Sequence, residues 1–189
     1  MECVAISQEQ GIPFYEAPAM IQHGWTLIVQ DRMAEGFAQL HEGLARHDAM
    51  GSTLTWSVRF VILAEAYQRH DQPEEGLRVL ADRFSQSDDR GEMTFEAELY
   101  RLQGALLLQQ SGAHAPAAEI AFQHALDIAR DQGAKSWELR AATGLARLWQ
   151  SQGKHREALD LLAPVYGRFT EGFDTVDLRE AKQVLDELR

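Results

Sequence analysis

Apolar residues fall at helical steps along this chain. Leu63, Ala64 and Tyr67, then Gly76, Leu77 and Leu80, recur at i, i+3, i+4 intervals, the signature of one buried helix face. Between them Arg69-His-Asp-Gln-Pro73 interrupts the pattern. Asp71 can cap a helix, Pro73 suits a first turn, and Glu74 and Glu75 favour the positive end of the helix dipole. The same reading predicts helices near 2–10, 14–30, 33–48, 53–69, 73–87, 94–110, 115–131, 135–151, 155–168 and 176–188. Val58-Arg-Phe-Val-Ile-Leu63 is β-branched enough to suggest a strand. The repeat register set out next assigns it to a helix, and register outranks local propensity. No strand is expected.

The pattern repeats. Gly11, Gly51, Gly91 and Gly133 are spaced 40, 40 and 42 residues apart, as are Gly24, Ala64, Gly104 and Ala146. Gly36, Gly76, Ala118 and Ala158 follow at 40, 42 and 40, together with the large apolar series Leu40, Leu80, Phe122, Leu162 and, four residues on, Leu44, Phe84, Leu126, Tyr166. Two extra residues enter between Gly104 and Ala118, and Gln110-Ser-Gly-Ala-His-Ala-Pro116 is the loop that can hold them. Small residues mark where two helices approach closely, and large ones fill the space beside them.

Each unit reads as helix, short turn, helix, then a glycine-marked turn. The expected organisation is one domain over 1–189, with repeats at 14–50, 53–90, 94–132 and 135–170. Residues 1–10 align with a second helix, because Cys3-Val-Ala-Ile-Ser-Gln-Glu-Gln-Gly11 matches Ala125-Leu-Asp-Ile-Ala-Arg-Asp-Gln-Gly133. That half-repeat lacks a first helix, so its apolar face is expected to stack on upstream sequence or on a second subunit as a homodimer. At the other end, residues 175–189 carry one apolar stripe and one charged face, as a capping helix should.

These positions resemble the tetratricopeptide repeat. Its pattern of a hydrophobic residue before Gly or Ala, an aromatic three later, then a small residue and a large one in the second helix is met by Leu145-Ala146, Trp149, Gly153, Ala158 and Leu162. Leu63-Ala64, Tyr67, Gly76 and Leu80 match likewise, as do Tyr100, Gly104, Ala118, Phe122 and Ala125. His23-Gly24, Leu27, Gly36 and Leu40 match more loosely. The period exceeds the family norm of about 34 residues, and the family's late proline is missing. Glu98-Leu-Tyr-Arg-Leu-Gln-Gly104, Ala134-Lys-Ser-Trp-Glu-Leu-Arg-Ala-Ala-Thr143, Leu161-Leu-Ala-Pro-Val-Tyr166 and Phe169-Thr-Glu-Gly-Phe-Asp-Thr-Val-Asp-Leu178 are similar to the C-terminal repeat region of large bacterial signalling ATPases. Many of those also carry a class III adenylate or guanylate cyclase domain. The resemblance implies a right-handed α-α superhelix that senses a partner and relays the signal.

Composition narrows the class. The 189 residues are 45% hydrophobic and 25% charged, the mix of a globular chain. A single cysteine, Cys3, leaves no intramolecular disulfide and no multi-cysteine zinc site. No apolar run nears the roughly 20 residues that span a bilayer. The N-terminus lacks a basic region before an apolar core, so no signal peptide is expected and the compartment read from the sequence is cytoplasmic. A net charge of −11 repels phosphate backbones, so neither nucleic acid nor membrane is an expected partner.

No catalytic motif stands out. There is no phosphate-binding Gly-x-x-x-x-Gly-Lys-Ser/Thr, no dinucleotide-binding Gly-x-Gly-x-x-Gly and no Gly-x-Ser-x-Gly. His23, His41, His47, His70, His114, His124 and His155 never fall at metal-ligand spacing, and Cys3 has no nearby His. Glu74/Glu75 and Asp88/Asp89 suit helix starts and solvated turns. Tyr15-Glu16, Phe95-Glu96 and Trp137-Glu138 occupy one recurring position, with Trp56 one residue late, which favours packing between repeats over a cofactor stack. No enzyme activity and no cofactor are expected.

Function is expected in a concave groove lined by the first helix of each pair. The family's inward positions map to Ile21, Trp25 and Ile28, then to Val61, Glu65, Gln68 and Arg69. In the third and fourth repeats they map to Glu98, Arg101, Ala105 and Leu108, and to Arg140, Thr143, Arg147 and Gln150. The stripe turns from apolar to basic. Arg101, Arg140 and Arg147 either receive a carboxylate or phosphate or pair internally with Glu98, Glu138 or neighbouring acids. The family's Lys and Asn carboxylate clamp is not reproduced. The expected function is a non-catalytic protein-protein interaction module that binds a peptide or partner domain, with effector sensing or oligomerisation as alternatives.

Overall fold

The computed structural model describes residues 13–50, 58–85 and 94–189. Among these it is all-α, with nine helices and no strand. They are α1 (Pro13–Val29), α2 (Met33–Ala49), α3 (Val58–Arg69), α4 (Pro73–Ser85), α5 (Glu96–Gln110), α6 (Ala115–Asp131), α7 (Lys135–Ser151), α8 (His155–Tyr166) and α9 (Val176–Glu187). The β-branched run at Val58 is helical as the register required. The segment expected to take the two extra residues carries a single 3-10 turn, Gly112–His114, with Ser111 Oγ accepting from the Ala113 amide at 3.2 Å. The predicted helix at 2–10, and with it the half-repeat and Cys3, lies outside the described residues, as do Trp56, Gly51, Gly91 and Asp88/Asp89.

The helix α1 packs on α2, and from α3 onward each helix packs on the next in sequence. First helices also contact the following first helix, so that α1, α3, α5, α7 and α9 form one row. The core is divided accordingly. Ile28, Leu40, Leu44, Leu63 and Ala66 fill the N-terminal part, and Phe60, Ala64, Leu80, Leu99 and Leu106 the middle. Phe122, Leu126, Leu145, Leu162, Leu178 and Leu185 fill the C-terminal part. The repeating small and large residues meet in these crossings: Ala64, Ala118, Ala146 and Ala158 are fully buried, as are Leu40 and Leu162.

The small positions are steric requirements. A Cβ added at Gly24 would lie 2.7 Å from the Leu40 amide nitrogen and 2.8 Å from the Gly36 carbonyl oxygen. At Gly104 and Gly144 the obstacle is one ring, because Phe122 stands 3.0 Å from the first virtual Cβ and 2.6 Å from the second. Two missing methyl groups therefore make the slot that Phe122 fills.

The turns within pairs also repeat. The Arg32, Gln72 and Lys154 amides donate to the Leu27, Tyr67 and Trp149 carbonyls at 2.9, 3.0 and 2.9 Å. This closure needs a left-handed residue just before the donor, and Asp31 (φ 61°), Asp71 (φ 55°) and Gly153 (φ 77°) supply it. Asp71, expected to cap the start of α4, instead terminates α3. Its carboxylate accepts from Gln109 Nε2 at 2.9 Å, because the left-handed backbone turns the side chain toward α5.

Candidate functional site

Along the row of first helices a cavity of about 390 Å³ opens across α3, α5, α7 and α9. Glu65, Gln68 and Arg69 line it from α3, and Arg101, Ala105 and Leu108 from α5. Arg140, Thr143 and Arg147 line it from α7. These are residues that the family resemblance maps to inward positions of the first helices. Three other candidates sit beside it. The Trp25 ring lies 5.4 Å beneath the Arg69 guanidinium, Gln150 donates to Glu187 Oε2 at 3.2 Å, and Glu98 is buried behind the wall at 2% exposure. Ile28 and Val61 belong to the core.

Glu98 organises the centre. Its Oε2 accepts from Arg101 Nε at 3.0 Å and from Arg140 Nη1 at 2.8 Å, joining α5 to α7. The arginines are thus anchored within the protein, one of the two outcomes the sequence left open. Arg140 Nε also stands 3.3 Å from Asp177 Oδ1, and Arg147 Nη1 3.2 Å from Glu180 Oε2. Burial alone would lower the Arg140 pKa. The facing carboxylates of Glu98, Asp177, Glu65 and Glu180 outweigh it and hold the guanidinium above its ordinary value. The expected basic end of the groove is therefore charge-balanced: Arg69, Arg101, Arg140 and Arg147 face Glu65, Glu98, Asp177 and Glu180.

Some polar capacity is left over. Among the described residues the Arg101 terminal nitrogens, Nη1 and Nη2, and Arg140 Nη2 donate no hydrogen bond, although Arg101 is only 13% exposed. The Glu65 carboxylate is 19% exposed, and its nearest cation, Arg69 Nη2, is 3.9 Å away, beyond hydrogen-bond reach.

Glu138, the other expected acid partner, is not in the groove. Its carboxylate is held at the opposite surface by Arg130 Nε at 3.1 Å and by Arg168 Nη2. Glu138 sits two residues before Arg140, roughly 200° around the helix, so the two side chains leave from opposite faces. The recurring aromatic position packs between repeats, with the Phe95 and Trp137 rings 5.6 Å apart. Among the described residues no group of three or more His, Cys, Asp or Glu is arranged to hold a metal ion.

Sequence reasoning missed Phe122, Gly144, Val176, Asp177 and Glu180, which complete the lining. Phe122 is visible only once its slot between Gly104 and Gly144 is known. Val176, Asp177 and Glu180 come from α9, expected only as a capping helix with one apolar stripe and one charged face. The signal that could have found them is that α9 falls where another first helix would. No family model matches this sequence, and no curated protein matches it either. No helix among the described residues is long and apolar enough to cross a membrane.

Proposed function

We propose that this chain is a non-catalytic interaction module, a tetratricopeptide-like right-handed superhelix that binds a peptide or partner domain in its concave groove. The resemblance to the repeat regions of bacterial signalling ATPases makes its role that of a regulatory or sensory segment working in the cytoplasm. The observation that carries this reading is the cavity across four successive first helices, lined by side chains that recur at one inward position. Stacked repeats expose such a surface while needing few of its residues for the core. Mutation of the others is therefore free to follow the ligand.

Selection of a displayed random-peptide library tests it. The double variant Arg69→Glu, Arg147→Glu changes half-exposed side chains at the rim and spares the fold. Enriched peptides should lose about tenfold or more in affinity for that variant. Equal binding to both proteins would sink the groove assignment.

A second reading rests on the same volume. About 390 Å³ lies within the roughly 300–1,000 Å³ of small-ligand pockets, so effector sensing is the alternative. A thermal-shift screen of metabolites separates them: stabilisation by one compound, with no peptide enriched, would favour the sensor.

A further inference from the structure

We infer that the cavity recognises an amphoteric peptide segment, one acidic side chain docking on Arg101 and Arg140 while a neighbouring lysine or arginine docks on Glu65. This rests on the reading of the groove as a peptide-binding surface and specifies its ligand chemistry.

The donors come first. Arg101 uses one of its three nitrogens, Nε, to reach Glu98, and that same bond holds the guanidinium plane in place. Nη1 and Nη2 meet no protein acceptor among the described residues, on a side chain that lines the cavity and is 13% exposed. Arg140 adds Nη2 from the facing helix. Partly desolvated guanidinium donors favour a carboxylate, which they grip bidentately. The acceptor is Glu65, also lining the cavity, accepting no hydrogen bond and no closer than 3.9 Å to any cation among the described residues. A cationic side chain is what satisfies it.

Charge balance decides against a purely anionic ligand. The four guanidinium groups around the cavity are offset by four carboxylates. A phosphate or a run of acids would bring net negative charge beside Glu65, Asp177 and Glu180, whereas a segment of zero net charge answers the unused guanidinium donors and the loosely paired Glu65 carboxylate together. Leu108 and Val176 offer apolar surface for the stems of both side chains.

Titration of the full chain by nuclear magnetic resonance with four short capped peptides tests this. One carries a glutamate and a lysine two residues apart, one only the glutamate, one only the lysine, and one several glutamates. Inorganic phosphate is the fifth probe. The mixed peptide should bind about tenfold more tightly than any other probe, with shifts centred on Arg101, Arg140 and Glu65. Glu65→Gln, which removes no hydrogen bond, should erase the advantage of the lysine and let the glutamate-only peptide bind equally well. Arg101→Lys keeps the charge beside Glu98 and loses the fork, so it should weaken every glutamate peptide. Tighter binding of the polyglutamate peptide or of phosphate would overturn the inference, as would an unchanged lysine preference in Glu65→Gln. Library peptides that depend on the groove rim but contain no acid–base pair would leave the groove reading intact and defeat this one alone.

Discussion

Arg140 on α7 donates through Nη1 to Glu98 Oε2 on α5, 2.8 Å away and one repeat earlier in the chain. Among the described residues the other anchor of Glu98 is Arg101 on its own helix, so the Glu98–Arg140 pair joins α5 to α7 behind the cavity.

Replacing Glu98 should therefore cost far more than replacing the acids in front of it. Glu98→Ala leaves two largely enclosed guanidinium groups without their common acceptor, and we expect a loss of about 3 kcal/mol. Glu180→Gln removes a half-exposed pair and should cost under about 1 kcal/mol. Urea unfolding of the three proteins checks the ranking, and equal midpoints for the two variants would refute it.

Close helix approach gives a second contrast. A Cβ at Gly36 would meet Ile28 Cγ1 at 2.6 Å and the Gly24 carbonyl oxygen at 2.9 Å, and the backbone cannot turn aside. Gly36→Ala should destabilise by about 1–3 kcal/mol. Gly112, in the 3-10 turn, has nothing within 4 Å of its virtual Cβ and needs no left-handed backbone. Gly112→Ala should be neutral or stabilising by a few tenths of a kcal/mol. Thermal melts of both variants measure the difference.

The recurring left-handed turn position predicts opposite signs at equivalent sites. Asp31 tolerates φ 61° at a cost, so Asp31→Gly should raise stability by about 0.5–1 kcal/mol. Gly153 holds φ 77° with open space around it, so Gly153→Ala should lower stability by about 1 kcal/mol through backbone strain alone. A loss of stability in Asp31→Gly would show that its side chain matters more than its backbone.

Phe122 links the core to the site. It is almost fully buried between Gly104 and Gly144, and it also forms part of the cavity lining. Phe122→Leu should cost about 1–2 kcal/mol and weaken groove ligands by enlarging the wall behind them. Calorimetry with any library-derived peptide reads the second effect, and unchanged affinity would separate the floor from the binding surface.

Acid should weaken the chain through its exposed pairs. The hydrogen bond from Arg32 holds Glu35 below its ordinary value of 4.5. Lys182 does the same for Asp186, whose ordinary value is 3.8, and Gln183 and Gln150 hold Glu187 below 4.5. A depressed folded pKa contributes stability that is complete above the ordinary value and is lost as pH falls through the folded value. The urea midpoint should thus drop between about pH 5 and about pH 3, less steeply in 1 M salt, where exposed pairs are screened. A midpoint constant over that range would contradict the assignment.

Helix positions were legible in the sequence because they are local. Apolar spacing, Pro73 at a helix start and the 40-residue recurrence of small and large residues are properties of short stretches of chain, and they led to α1 through α9 within a few residues. The inward position of each first helix came from the resemblance to the tetratricopeptide repeat laid over that register, and Glu65, Arg101, Arg140 and Arg147 so mapped line one cavity. Which acid each arginine meets was decided by the tertiary structure. Glu98 rather than Glu138 faces Arg140, because a two-residue offset on a helix rotates a side chain to the other surface. The contribution of α9 likewise depends on where its apolar stripe, Leu178, Ala181 and Leu185, seats it against α7, and only then do Asp177 and Glu180 reach the groove. Periodicity along the chain specifies which face of a helix is buried. Distances between charged tips on different helices depend on the packing of the faces between them, and no local pattern encodes that.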